Sequence, residues 1–370
     1  MRDRLQRLAL NLLAVVVAAI FAGAVTSLIL AIRGDSPTDV INQMWDYGTQ
    51  PNTEVSILDS AAVYYLSAVA VAIGFRMNLF NIGVDGQYRL AACVAGAFAG
   101  SVALPTGLRQ AATILVAMVV GAAWAGIVAL LKLLRGVSEV ISTIMLNFVA
   151  TSLVAYLMRT SIFGHQSGTD TTTKPIPSSG QVGGIRIISG VGADKVYGLI
   201  LLAVAVGVAF HVLINYTRFG FDLRAAGRSA TAAQASGVSV RKMTAITLLM
   251  SGAVAGLVGM PILLGESHSF SAATFQSGLG FTGIAIALLG RNHPVGIAFA
   301  ALLWSFLDNS QVILDLNGIP KEIILITQGV VVLSVVVAYE LVRRFALTRQ
   351  QRSVGRATAP GAPAAEGATA

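Results

Sequence analysis

Apolar residues in this 370-residue chain come in runs near 20 residues long, separated by short polar segments. A run of that length crosses the ~30 Å hydrocarbon layer of a bilayer as a helix. The pattern predicts helices at about 8–32, 57–75, 88–104, 110–131, 140–158, 197–214, 243–264, 279–290, 295–308 and 322–341. The expected fold is therefore all-α, a polytopic membrane protein of about ten transmembrane helices. The third, eighth and ninth runs are short or broken by glycine, so these helices are expected to be tilted, discontinuous or incomplete spans.

Composition agrees with the pattern. Only 11% of residues are charged and 55% are hydrophobic, with a mean hydropathy of +0.76. A soluble domain carries roughly a quarter charged residues. The net charge of +8 would suit nucleic acid in a soluble protein. Here the basic residues lie between apolar runs, as topology determinants do, and no nucleic-acid partner is expected. With the N-terminus inside, eighteen of the 25 Lys and Arg residues fall in cytoplasmic segments, Arg76, Arg89, Arg228 and Arg291 among them. That bias places both termini in the cytoplasm of a multi-pass inner-membrane protein, with membrane lipid as its surroundings.

The first apolar run, Leu8 to Ile32, is too long for a signal-peptide core and reads as an uncleaved helix. The single cysteine, Cys93, lies in an apolar run and excludes a disulfide within the chain. Residues 1–348 form the expected transmembrane domain, and the Ala-, Gly-, Pro- and Thr-rich segment 349–370 is expected to be a disordered cytoplasmic tail. Segment 33–56 carries four acidic residues and is expected along the outer face. The long outer loop 159–196, rich in Gly, Ser, Thr and Pro, is either a functional cap or mobile.

Several polar groups stand out against this apolar background. Gly83 and Gly86 bracket Asp85 just after the second span, which suggests an unwound or tightly turned backbone. Asn78, Asn81, Asp85 and Gln87 in that segment would be costly in lipid unless they face protein or water. They either line the inner end of a pathway or hydrogen-bond a helix break. In the fifth span Glu139, Thr143, Asn147 and Thr151 recur every four residues and so share a face. That stripe either offers hydrogen bonds to a solute or joins two helices. Gly96 with Gly100, and Gly252 with Gly256, are spaced for close helix packing. Glu266 and His268 end the seventh span, and the histidines have no metal-ligand spacing.

The largest basic inner loop, 215–242, contains a short helix signature. Ser229 can cap it, Ala230 to Ala235 can form it, and Gly237 can end it. Such a helix suits either docking to a soluble partner or resting on anionic lipid. No lysine follows a glycine, so the phosphate-binding pattern G-x-x-x-x-G-K-[ST] is absent.

Four blocks carry a family resemblance: LRAAGRSATAAQASGVSVRKMTAITLLMSGAVAGLVG, GFRMNLFNIGVDGQYRL at 74–90, GFTGIAIALLGRNHPVGIAFAALLWSFL at 280–307 and EVISTIMLN at 139–147. Together they resemble the branched-chain amino acid, ribose and simple-sugar family of ABC-transporter permeases, in its nucleoside branch. Asp85 stands where many relatives carry Glu. The resemblance implies a type II importer fold and a transport subunit rather than an enzyme. It also implies a second, different permease subunit, separate ATPase subunits that bind ATP and Mg, and an external binding protein. No cofactor is expected in this chain itself. Carried onto this sequence, the ATPase-coupling loop would include Arg224, Gly227, Arg228, Ala232 and Gly237. The pathway candidates remain Asn78, Asn81, Asp85, Gln87, Glu139, Thr143 and Asn147. An ion-coupled secondary transporter is the alternative, but it would need ionisable residues at mid-membrane, and Asp59 and Glu139 lie near span ends. An intramembrane enzyme would need a cluster of catalytic groups that the sequence does not show.

Overall fold

A computed structural model describes residues 2–189, 195–275 and 277–357. Its helices are α1 (Arg2–Arg33), α2 (Pro37–Gly48), α3 (Pro51–Phe75), α4 (Val84–Ser101), α5 (Leu108–Arg135), α6 (Glu139–Leu157), α7 (Ile200–Tyr216), α8 (Arg218–Arg228), α9 (Ala230–Ala235), α10 (Val240–Leu257), α11 (Met260–Ile262), α12 (Leu279–Leu289), α13 (Pro294–Leu316) and α14 (Glu322–Ala357). Each of the ten expected helices has a counterpart, and among the described residues the fold is all-α apart from one small hairpin. Among the described residues, six helices are long and apolar enough to cross a membrane, or seven if α7 and α8, bent by 73°, form one broken span.

The chain divides into two compact units, residues 1–41 with 319–370, and residues 42–318. In the first, α1 packs on α14, and the Thr26 hydroxyl donates to Thr327. Helix α14 runs to Ala357, so the first nine residues of the segment expected as a disordered tail are helical. The rest of that segment lies outside the described residues.

In the second unit α3 is the buried centre, with Leu66 and Ala68 to Ala72 fully enclosed and α10, α12 and α13 against it. Helix α5 meets α10 through glycines. A Cβ on Gly256 would overlap the Ala117 carbonyl, and one on Gly252 would overlap Ala125. The other pair, Gly96 and Gly100, packs differently. Gly96 lies against Leu263, Phe270 and Thr173, and Gly100 against Lys174, so it admits a loop as well as a helix.

Helix α13 is longer than its apolar run suggested, because the polar residues after Leu307 are satisfied inside the fold. Tyr64 donates to the Asp308 carboxylate at 2.7 Å, Gln311 donates to its other oxygen at 2.8 Å, and Ser310 bonds back to Phe306. The expected seventh span is interrupted after Leu257, continuing through α11 and a π-helical turn at Leu263–Ser267. Loop 159–196 is packed where it is described. Strands Gly164–Ser167 and Asp170–Thr173 form an antiparallel hairpin, and Thr173 N, Ile176 N and Val182 N donate to Phe270, His268 and Leu264.

The segments expected inside gather at one end of this unit. Arg76 bonds the Asn292 carbonyl, Arg241 bonds the Leu133 carbonyl, and Lys132 pairs with Glu139. Arg89 is the exception. It lies within α4, not in the preceding connection, because α4 begins at Val84 rather than near 88.

Candidate functional site

Two broken helices meet in the second unit. Helix α3 stops at Phe75, the chain turns through Asn78 in the left-handed region, and α4 starts at Val84. Helix α12 has only 11 residues, about 16 Å, which is about half the ~30 Å thickness of a bilayer's hydrocarbon layer. Its first turn rests on α3, where Ser67 donates to the Leu279 carbonyl at 2.6 Å. Asp85 joins the two starts. One carboxylate oxygen accepts from the amides of Gly278 and Gly280 at 3.0 and 3.1 Å. An anion satisfies the orphan amides of a helix N-terminus and complements its dipole.

Asn81 and Gln87 close the break. Their amides exchange bonds of 2.9 and 3.0 Å, Asn81 also donates to Ser251, and Ser251 donates to the Ala70 carbonyl. Asn147 on α6 holds the same turn from the other side. Its oxygen accepts from Gly86 N and its nitrogen donates to the Ile82 carbonyl, both at 2.9 Å. Thr143 bonds back to carbonyls of its own helix, and Glu139 pairs with Lys132 at 2.5 Å. The structure thus brings Asn81, Asp85, Gln87 and Asn147 together and gives each an intramolecular partner. Glu139 stands apart at the helix end.

Asn78 is separate from that group. Its side chain donates to the Gly227 carbonyl, at the end of α8, at 2.7 Å. Gly227 fits so closely that a Cβ there would lie 2.5 Å from the Arg76 carbonyl oxygen. Arg224 bonds the Ile214 carbonyl. Burial, with Arg224 nearby, lowers the pKa of Arg76. Beyond Gly227 the chain reaches α9 with the bounds its caps dictate. The Ser229 hydroxyl accepts from Ala232 N at 3.3 Å, and Gly237 ends the element at φ +85°. Within α9 Ala233 is buried, while Thr231, Ala232, Gln234 and Ala235 are exposed. Arg228 is exposed beside them.

At the opposite end Asp59 accepts from Tyr197 N at 2.7 Å, and the Tyr197 hydroxyl bonds Glu266. Burial and the neighbouring carboxylates raise the Tyr197 phenol, so it stays a donor. Among the described residues no group of three His, Cys, Asp or Glu side chains could hold a metal. Sequence reading overlooked Ser67, Ser251 and Arg89. The serines are too common to signal anything alone, but a late start for α4 hid Arg89, and its one-turn spacing from Asp85 could have revealed it.

Residues 54–337 match the family described as the branched-chain amino acid transport system / permease component. The chain is 32% identical to a guanosine ABC transporter permease protein of Bacillus subtilis, across 90% of this chain and 94% of that protein. It is 34% identical to a glucose ABC transporter permease protein of Haloferax volcanii, across 89% and 87%. It is 30% identical to a nucleoside ABC transporter permease protein of Lactococcus lactis, across 74% and 76%. No solved structure matches the chain. With a match over most of its length and these relatives, the chain belongs to the permease-component family of branched-chain amino acid transport systems.

Proposed function

We propose that this chain is a membrane-spanning permease subunit of an ATP-driven importer, and that its cargo is a nucleoside or simple sugar. The family match and the names of the relatives support the reading. The observation that carries it within the molecule is α9, a capped and exposed helix joined through Gly227 and Asn78 to the break between α3 and α4. A small rigid element of that kind can pass the closure of a docked ATPase to a gate. The partners in this reading are ATPase subunits holding ATP and Mg, a second permease, and an external binding protein that delivers the cargo. Basic residues from separate connections share the α9 end, which supports placing that end in the cytoplasm.

Uptake of labelled nucleosides and sugars by cells with and without the gene tests the cargo. Gene-dependent uptake of neither class would reject it. Ala232→Pro tests the coupling element, because it removes the amide that the Ser229 hydroxyl caps, and losing a cap costs about 0.5–2 kcal/mol. The variant should lose ATPase co-purification and uptake together. Retention of both in a well-expressed variant would place coupling elsewhere.

A further inference from the structure

Arg89 is a full charge on α4, a helix packed against α5, α6 and α10, and it forms no salt bridge among the described residues. It is the sixth residue of α4. Its guanidinium donates to the Thr151 hydroxyl at 3.2 Å. Thr151 lies twelve residues beyond Glu139 on α6, about 18 Å along the helix axis. Arg89 therefore meets α6 deep within a helix long and apolar enough to span. Its Nε is buried without a partner. The carboxylate one turn earlier, Asp85, lies near enough to attract Arg89, but it spends its hydrogen bonds on Gly278 and Gly280.

A guanidinium facing hydrocarbon at such depth costs about 2.5–3.5 kcal/mol on insertion scales and more by other measures. A neutral hydroxyl offsets little of that. Thr151 is itself exposed, and its own proton goes to the Asn147 carbonyl at 3.0 Å. Its oxygen is thus oriented to receive Arg89 and steer the guanidinium. The charge is held in place, and its fork of N–H donors is only partly used.

We propose that Arg89 faces a water-filled translocation pathway and, steered by Thr151, contacts the cargo there. The ligand chemistry it suits is an uncharged solute rich in acceptor oxygens and nitrogens, of the nucleoside type. Hydrogen bonds from a guanidinium to neutral acceptors orient such a solute, and the positive charge repels cations. The cargo class rests on the importer reading above, whereas exposure of Arg89 to water does not.

The test uses cells carrying the complete importer, with the buried Cys93 replaced by Ala and Arg89→Cys introduced. The probe is a trimethylammonium methanethiosulfonate, which converts a water-exposed thiolate into a mixed disulfide bearing a fixed positive charge and releases methanesulfinate. Arg89→Cys should lower nucleoside uptake at least ten-fold. The charged probe should label it, cargo should slow the labelling, and labelling should restore part of the uptake. Arg89→Lys, which keeps the charge but loses the fork, should express normally and raise KM more than it lowers the maximal rate. Labelling by a membrane-soluble maleimide alone would turn the residue toward lipid, and labelling by neither reagent would bury it in a protein contact. Either result overturns the proposal. If the unaltered importer takes up neither nucleosides nor sugars, the cargo reading fails, and thiol accessibility still decides whether Arg89 meets water.

Discussion

Two helix contacts in the same unit are built on opposite principles. Helices α5 and α10 meet where side chains are missing, with Gly121, Gly252 and Gly256 pressed against backbone. Helices α4, α6 and α12 meet where polar side chains are plentiful, through Asn81, Asp85, Gln87 and Asn147. In a membrane, lipid tails are as apolar as leucine, so helices associate by close packing or by hydrogen bonds. Close backbone packing has no second arrangement of similar energy. A hydrogen-bonded junction can exchange partners, with water or cargo supplying the lost bonds. The first contact therefore suits a fixed wall and the second a moving part.

The wall should tolerate least. Gly256→Leu places a side chain where even a Cβ overlaps the Ala117 carbonyl. Overpacking usually costs about 1–3 kcal/mol, and with backbone on the opposing side the upper end or beyond is expected. The variant should fail to accumulate as a monodisperse protein in detergent. Normal yield and melting temperature would show that α5 and α10 can part, contrary to the fixed-wall view.

Next in size is Asn147→Leu. It strips partners from Gly86 N, in the first turn of α4, and from the Ile82 carbonyl, in the turn before it. Stranding buried polar groups costs about 1–3 kcal/mol each. Lower thermal stability and lost uptake are expected together. Lost uptake at unchanged stability would instead assign Asn147 to the pathway.

Much of this contrast was legible in the sequence, and the reason lies in what each contact needs. Glycines four apart in an apolar run announce a close approach, although Gly96 and Gly100 show that the partner can be a loop. That a helix breaks here was legible from Gly83, Asp85 and Gly86, but the break lies earlier than they suggested: α4 begins at Val84, so Asp85 and Gly86 sit in its first turn. The partners of the Asp85 carboxylate were not legible, since Gly278 and Gly280 lie nearly two hundred residues away and offer only backbone amides. Helix α13 misled for the converse reason. Asp308 looked like a terminus, and only Tyr64 and Gln311, brought close by folding, make it an interior residue.

A smaller effect is expected from Asn78→Gly. Glycine accepts the left-handed backbone that Asn78 adopts, so the turn survives while the bond to Gly227 is removed. ATPase co-purification and melting temperature should hold, and uptake should fall several-fold as α9 loses its grip on the break. Paired with Gly227→Ala, the double variant should be no worse than the more damaging single one, since both act on one contact. Strict additivity would separate the two residues, and unchanged uptake would remove Asn78 from the transmission route.

The smallest change is expected at Thr143, and it sharpens the comparison most economically. Its hydroxyl donates to the carbonyls of Glu139 and Val140, on the same helix, at 2.7 and 3.0 Å. Those carbonyls retain their helical bonds without it. Thr143→Val keeps the branched shape and removes only the hydroxyl. Membrane hydrogen bonds of this kind average about 0.6 kcal/mol, so assembly and melting temperature should barely move. Helix packing alone therefore gives Thr143→Val nearly full uptake beside a crippled Asn147→Leu. A selective loss of uptake in Thr143→Val would instead mean that the hydroxyl turns to the solute during transport, and the α6 stripe would join the moving part of the protein.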